Sequence, residues 1–359
     1  MSMIPLPRED TPPWDDSEPL ECVMVIPEAP NVRTFAFRAP SGRWFRYKAG
    51  QFITLELPVP GGPLYRTYTI SSSPSRSLSI SVTVKAQDDS LGTRWMIDNL
   101  KPGERIRAYG PAGIFTLPQQ PDGKYLFIAA GSGVTPMMSM TGYLFDRGEQ
   151  PDVTLIVCAR RPSELIFRRR LEHMAERMPG LKLHYVVSEE DPYDVWTGYR
   201  GRFNQLMLGI MAPDYLEREV YCCGPESFMQ SVREMLHSLG YDMEHYKQES
   251  FHAAVESEEE APEIEDIVPQ EEAEAEVVFA ESGQTAACLE TDTILQVARN
   301  SGLVIPSGCT FGVCGTCKVK KRAGEVHMVH NGGISEEDIE AGYILACCSN
   351  PIGRVEVEA

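Results

Sequence analysis

What this chain of 359 residues lacks narrows its biology before any motif is read. No stretch approaches the roughly 18 continuous apolar residues that a membrane-spanning helix needs. The opening "MSMIPLPREDTPPWDD" has no apolar core of signal-peptide type, so the expectation is a cytoplasmic chain that does not enter a membrane. Basic residues are short: 33 Lys and Arg stand against 52 Asp and Glu, a net charge of −19. Such a surface would repel a phosphate backbone, which argues against nucleic acid as a partner. Between Glu256 and Glu276 basic charge is absent altogether while 11 acidic residues occur. A run of that kind repels itself and stays extended as a solvated linker, with an acidic docking segment as the other reading. Internal repeats are absent too.

Ten cysteines are present. In a reducing compartment they are poor candidates for structural pairing, so clustered ones are better read as metal ligands or redox groups.

The length suggests two or three domains at roughly 100 to 200 residues each. Residues 1 to about 17, rich in proline and acid, read as disordered. From 18 to 120, six short runs alternate with turn signals: "ECVMVIP", "VRTFAFRAP", "QFITLELP", "YRTYTISSS", "SLSISVTVK" and "ERIRAYGP". Their period-2 alternation predicts a small antiparallel β-barrel. From 121 to 251, the near-continuous apolar strands "YLFIAAG", "VTLIVCAR", "LKLHYVVS" and "EVYCCGP" are separated by helical spacing, as in Phe167, Leu171, Met174 and Met178. A second set, Phe228, Val232, Met235, Leu236 and Leu239, runs up to Gly240 as a helix stop. Buried strands alternating with helices predict a doubly wound α/β domain with a parallel sheet. An acidic linker over 252 to 276 then leads to a small cysteine-bearing segment over 277 to 359.

Three places carry chemistry. In "FIAAGSGVTPMMSM" an apolar strand passes through Gly131 and Gly133 into a helix that begins near Thr135 and Pro136. Glycines there let the backbone approach a diphosphate, whose charge the helix N-terminus favours, although a G-x-G turn alone also makes an ordinary tight turn. "YCCGPESFM" ends a later strand, so Cys223, Gly224 and Pro225 should face the same crevice. Cys222 and Cys223 alternate along the strand, and Cys223 is the one expected to face the ligand. In "YRTYTISSS", Arg66 and Tyr68 share one face of a strand and Thr69 takes the other. An arginine there could hold a phosphate and the tyrosine ring could cover a planar heterocycle.

"RTYTIS", "AAGSGVTP" and "YCCGPESFM" in this order resemble the signatures of the ferredoxin-NADP reductase superfamily over roughly residues 18 to 251. The resemblance implies that Arg66 binds flavin phosphate, Tyr68 covers the isoalloxazine and Thr69 hydrogen-bonds near N5. It also implies that Gly131 to Pro136 hold the nicotinamide nucleotide, with Thr135 near the nicotinamide and Cys223 near its hydride-bearing carbon. Tyr68, Thr69 and Cys223 would thus be the catalytic set. One departure is "SLGT": Thr93 keeps the hydroxyl of the family's second flavin motif, but its first glycine is missing. FAD remains preferred to FMN. Phe251 in "QESFHAA" is either a ring at the flavin's far face or a terminal packing residue. Glu189 and Glu190 in "VVSEEDP" would repel a 2′-phosphate, which favours NADH over NADPH. The Arg168 to Arg170 run is either a 2′-phosphate site that would rescue NADPH or, as charge runs on an amphipathic helix usually are, a solvated face.

Cys309, Cys314 and Cys317 have the plant-type C-x4-C-x2-C spacing of a 2Fe-2S site, and Gly308, Gly312 and Gly315 would let the loop wrap the cluster. Zinc frameworks usually offer two C-x2-C-like pairs, and only one is present. From "VVFAESGQ" to "GYILACCSNP" the segment resembles plant-type ferredoxins, an α+β fold of β-grasp type. The resemblance implies that Cys347 is the fourth ligand and leaves Cys348 as a packed neighbour. Cys22, Cys158 and Cys288 read as small buried hydrophobes.

The order of flavin, nucleotide and ferredoxin segments resembles the reductase components of bacterial oxygenases and the reductases of hybrid-cluster proteins, and most of all those of Rieske-type demethylases for glycine betaine or a compound such as stachydrine. It implies electron flow from NADH through FAD and a 2Fe-2S cluster to a terminal oxygenase or other electron-accepting protein. A flexible tether would let the last domain reach both flavin and partner. A redox-sensing iron–sulfur flavoprotein is the reading from a different class.

Overall fold

A computed structural model describes residues 12–86, 90–118, 121, 123–148, 151–191, 194–251, 273–307, 312, 315–330, 333–334 and 336–359. The first unit is built from β1 (Leu20–Ala29), β2 (Val32–Arg38), β3 (Phe52–Val59), β4 (Gly62–Thr69), β5 (Ile80–Lys85) and β6 (Arg105–Ala112), with α1 (Leu91–Asn99) between the last two strands. All six expected runs form strands. Their order is β4-β3-β6-β1-β2-β5, every pairing is antiparallel, and an Ile70–Val82 bridge brings the two ends together. Alternation puts Phe35, Phe37, Ile53, Leu55, Ile80 and Val82 into one core. The expectation of disorder up to residue 17 fails at Trp14, which is buried against Phe45 with ring centroids 5.5 Å apart. Its indole Nε1 donates to the Glu18 carbonyl, because burying an indole requires an acceptor for its N–H. Residues 1–11 lie outside the described residues.

The second unit contains β7 (Lys124–Ala130), α2 (Val134–Arg147), β8 (Asp152–Ala159), α3 (Arg168–Ala175), β9 (Leu181–Val187), β10 (Tyr199–Arg200), α4 (Gln205–Met211), β11 (Glu219–Cys223), α5 (Glu226–Ser238) and β12 (Tyr246–Glu249). Its parallel sheet runs β10-β9-β8-β7-β11-β12. Two short edge strands, β10 and β12, join the four expected ones. Buried Arg218 ties the sheet's lower end, donating to Asp214, Asp152 and the Tyr125 carbonyl.

The two units are joined by many polar contacts. Arg76 makes a bidentate pair with Asp146, Lys85 pairs with Glu164, and Arg170 pairs with Glu28. Ser139 donates from α2 to the Ser72 carbonyl at 2.7 Å, and Tyr221 donates to the Thr116 carbonyl. The arginine run is therefore more than a solvated face. Arg168 binds Asp194 and stacks over Trp196, while Arg170 ties α3 to the barrel.

The third unit holds β13 (Glu274–Phe279), β14 (Gln284–Leu289), α6 (Ile294–Asn300), β15 (Lys318–Met328), α7 (Glu336–Glu340), β16 (Tyr343–Leu345) and β17 (Ser349–Val357). Its mixed sheet, β14-β13-β17-β15-β16, has β13 and β17 parallel and α6 packed on one face. The strand begins inside the acidic run. Glu274, Ala275, Glu276 and Val277 alternate so that Ala275 and Val277 are buried while Glu276 pairs with Arg354. Period-2 burial thus overrides the charge density at the run's end. The rest of that run, up to residue 272, lies outside the described residues. Among the described residues no helix is long and apolar enough to cross a membrane.

Candidate functional site at the junction of barrel and parallel sheet

The glycine loop leaves β7 through a single 3-10 turn, Gly131–Gly133, and continues into α2. Gly131 has φ 56°, a left-handed conformation that favours glycine. Gly133 is required for another reason: a Cβ there would sit 2.1 Å from the Cys223 carbonyl oxygen and 2.6 Å from the Gly224 nitrogen. The two segments picked out 90 positions apart are therefore in direct backbone contact. Thr135 is buried in the first turn of α2 and donates to the Ser132 carbonyl at 2.9 Å. Pro136, next in that turn, is buried as well and has no N–H to leave unpaired. Pro225 occupies the N-cap position of α5.

Strand alternation separates the adjacent thiols. Cys222 lies in the core with Met229, Val232 and Leu236 of α5, whereas Cys223 shares the opposite core with Phe127, Tyr221 and Phe115 from the end of the barrel unit. Cys223 is fully buried, and burial first, then the nearby Glu249 charge, raises its pKa well above the usual thiol value. It is a neutral thiol.

Sequence reasoning missed Glu249. It ends the polar edge strand β12, which has no apolar signal, and parallel register sets it beside Cys223. Burial pushes its carboxyl up to about 8, opposed by proximity to the Thr69 hydroxyl. Even so, neither Glu249 Oε2 nor Thr69 Oγ1 has a hydrogen-bond partner, and the buried Tyr68 hydroxyl has none either. Buried polar atoms are normally satisfied, so the Glu249 and Thr69 orphans mark one place built for a polar ligand, while the Tyr68 hydroxyl lies on the other face of β4. Burial also raises the Tyr68 phenol. Phe251, two residues beyond Glu249, is 44% exposed.

Arg66 lies on the face of β4 away from Thr69, with its side chain exposed and, among the described residues, donating only to the Tyr65 carbonyl. The first turn of α1 packs over its stem: a Cβ on Gly92 would lie 3.4 Å from Arg66 Cγ and 3.1 Å from Leu57. Ser90, rather than Thr93, supplies the capping hydroxyl, accepting from the Thr93 amide at 3.5 Å. An exposed guanidinium beside a helix N-terminus fits a diphosphate. Here the close approach depends on Gly92, one residue from Thr93, instead of on the missing first glycine.

At the end of β9 the two carboxylates are engaged. Glu189 pairs with Arg161 at 3.3 Å and Glu190 with Arg200 at 3.1 Å.

In the third unit, Cys317 and Cys347 are both buried, and the Cys347 amide donates to Cys317 Sγ at 3.4 Å. An amide aimed at sulfur stabilises a thiolate, as a 2Fe-2S cluster requires. Cys309 and Cys314 lie outside the described residues. Gly312 and Gly315 have φ of 68° and 69°, and a Cβ on Gly312 would lie 2.7 Å from Cys348 Sγ. Cys348 Sγ is thus packed against Gly312. Cys22 is fully buried as expected; Cys158 and Cys288 are only partly buried, since each sits near a strand end.

Three family models match in order. They are an oxidoreductase FAD-binding domain at residues 23–117, an oxidoreductase NAD-binding domain at 127–234 and a 2Fe-2S iron-sulfur cluster binding domain at 277–351. The stachydrine N-demethylase reductase subunit of Rhizobium meliloti is 64% identical over 96% of this chain and 98% of its own. The glycine betaine monooxygenase reductase subunit of Chromohalobacter salexigens is 44% identical over 94% of each chain. Among solved structures, phthalate dioxygenase reductase shares the fold with a TM-score of 0.57 at 22% identity, covering 95% of this chain and 97% of that one.

Proposed function

This chain belongs to the family of three-domain reductase subunits that includes those of stachydrine N-demethylase and glycine betaine monooxygenase, and on that premise we propose that it draws electrons from NADH and delivers them to a terminal oxygenase. As an oxidoreductase component with FAD-, NAD- and 2Fe-2S-binding domains it has the parts for that work. The observation that carries the reading is the junction where Thr69 of the barrel meets Cys223 and Glu249 of the parallel sheet.

Bound flavin supplies a carrier that takes two electrons from the nicotinamide and gives them singly to a one-electron cluster. The chain supplies position. Arg66 and the start of α1 hold the flavin's phosphates, Tyr68 covers its ring system, and Thr69 offers a free hydroxyl at the junction. Gly131, Gly133, Thr135 and Pro136 admit the dinucleotide beside Cys223, Gly224 and Pro225, where the buried Cys223 thiol excludes water. Thr93 contributes the third residue of the α1 turn that closes over Arg66. Cys309, Cys314, Cys317 and Cys347 hold the cluster. The Glu189–Arg161 and Glu190–Arg200 pairs occupy both arginines with carboxylates, which supports NADH over NADPH.

The partner is a Rieske-type oxygenase acting on a quaternary ammonium compound of the glycine betaine or stachydrine kind, and the pair works in the cytoplasm. The test is an anaerobic NADH titration followed by visible absorption and EPR, then coupling to purified oxygenases of each kind. Flavin bleaching followed by a reduced 2Fe-2S signal is expected; a protein that binds zinc or stays colourless refutes the reading.

A further inference from the structure

The three units are not joined alike. The barrel and parallel sheet share bidentate, ionic and backbone contacts. Between described residues, by contrast, one hydrogen bond links the third unit to the others: Thr316 Oγ1 to Thr54 Oγ1 at 3.0 Å.

Its position is specific. Along β3, Ile53, Leu55 and Leu57 enter the barrel core, so Thr54 points to the opposite face, yet it is only 1% exposed. The β3–β4 register pairs Thr54 with Thr67 and Phe52 with Thr69. Paired residues share a face, so Thr54, Thr67 and Thr69 lie on one side of the sheet. Thr69 is one pair-repeat from Thr54, about 7 Å along the strand. On the other side of the contact, Thr316 immediately precedes Cys317.

We propose that Thr54 and Thr316 are positioning residues that seat the cluster loop on the Thr69 face of the barrel for internal electron transfer. This rests on the electron path proposed above. A hydroxyl–hydroxyl contact between neutral side chains aligns the loop for transfer without an ion pair between described residues. Because Thr316 precedes the ligand position Cys317, leaving that seat would open this end of the cluster segment to a partner.

The test uses the full holoprotein in anaerobic stopped flow with NADH, following flavin bleaching and cluster bleaching separately in wild type, Thr54→Val, Thr316→Val and the double variant. Expected are an unchanged flavin phase and a cluster phase slowed about fivefold in each single variant, the size of one lost hydrogen bond. The double variant should be slowed less than the product of the singles, since both remove the same bond. Small-angle scattering should show a larger radius of gyration in each single variant. Cluster phases at the wild-type rate, equal slowing of both phases, multiplicative singles, or a slowed cluster phase with an unchanged radius would each overturn the seat. If Thr316→Val loses cluster absorbance, the more distant Thr54→Val decides alone. A wild-type protein whose flavin bleaches without any cluster phase would instead defeat the electron path itself.

Discussion

Replacing Glu249 with Gln tests whether the junction holds a proton that a carboxylate in water would have lost. Burial raises the Glu249 carboxyl from 4.5 to about 8, against the opposing effect of Thr69. Between those values the folded chain keeps the proton and the unfolded chain does not. Folded-state stability is therefore greatest below about pH 4.5 as far as this group is concerned, and falls as pH rises toward 8. The slope is about 1.4 kcal/mol per pH unit, and the whole window integrates to at most about 4–5 kcal/mol. Glu249→Gln removes this dependence, because an amide stays neutral throughout. Chemical denaturation monitored by near-UV circular dichroism at pH 5.5, 7 and 8.5 should show the wild-type midpoint falling relative to the variant, with the largest gap at pH 8.5. The rate constant for NADH-driven flavin reduction should likewise titrate near pH 8 in wild type and lose that step in the variant. Midpoints that run parallel across the three pH values would refute the raised pKa and with it the reading of Glu249 as a buried acid.

Three further outcomes follow from particular contacts. Cys347→Ser should abolish or severely weaken the visible absorption of the 2Fe-2S cluster, whereas Cys348→Ser should retain it, because Cys347 is buried with Cys317 while Cys348 is only partly buried and packs against Gly312; iron and sulfide analysis separates the two. Gly133→Ala places a methyl 2.1 Å from the Cys223 carbonyl, so the loop must move. A loss of about 1–3 kcal/mol in stability and a raised KM for NADH are expected, read by thermal melts and steady-state kinetics. Changing Glu189 and Glu190 to Gln frees Arg161 and Arg200 from carboxylates. It should raise kcat/KM for NADPH about fivefold to tenfold relative to NADH, as expected for about 1 kcal/mol of surface electrostatics; an unchanged ratio would place the 2′-phosphate elsewhere.

Local periodicity carried most of the architecture. The six barrel runs and four central strands of the second unit are apolar and bounded by turn residues, so the strands and the antiparallel or parallel class of each sheet could be anticipated from alternation and length, whereas their order could not. Edge elements were opaque for the same reason. "YKQE" becomes β12 only because β11 offers an unpaired edge, and no apolar face announces it. Charge density hid the start of β13, and proline hid the packed Trp14.

Residue types and short spacings by themselves determined the three-part order, the cysteine loop and the choice of Arg66, Tyr68, Thr69, Gly133 and Cys223 as places where chemistry belongs. Those features depend on a few neighbouring backbone positions, so a linear chain can state them. Tertiary structure alone decided that Gly133 rests on the Cys223 carbonyl, that the Glu249 carboxyl is buried beside Thr69, and that Thr316 meets Thr54 across 262 positions. Each of these is a contact between elements whose separation along the chain carries no periodic trace, and burial acquires its electrostatic consequence only once the elements have closed around it.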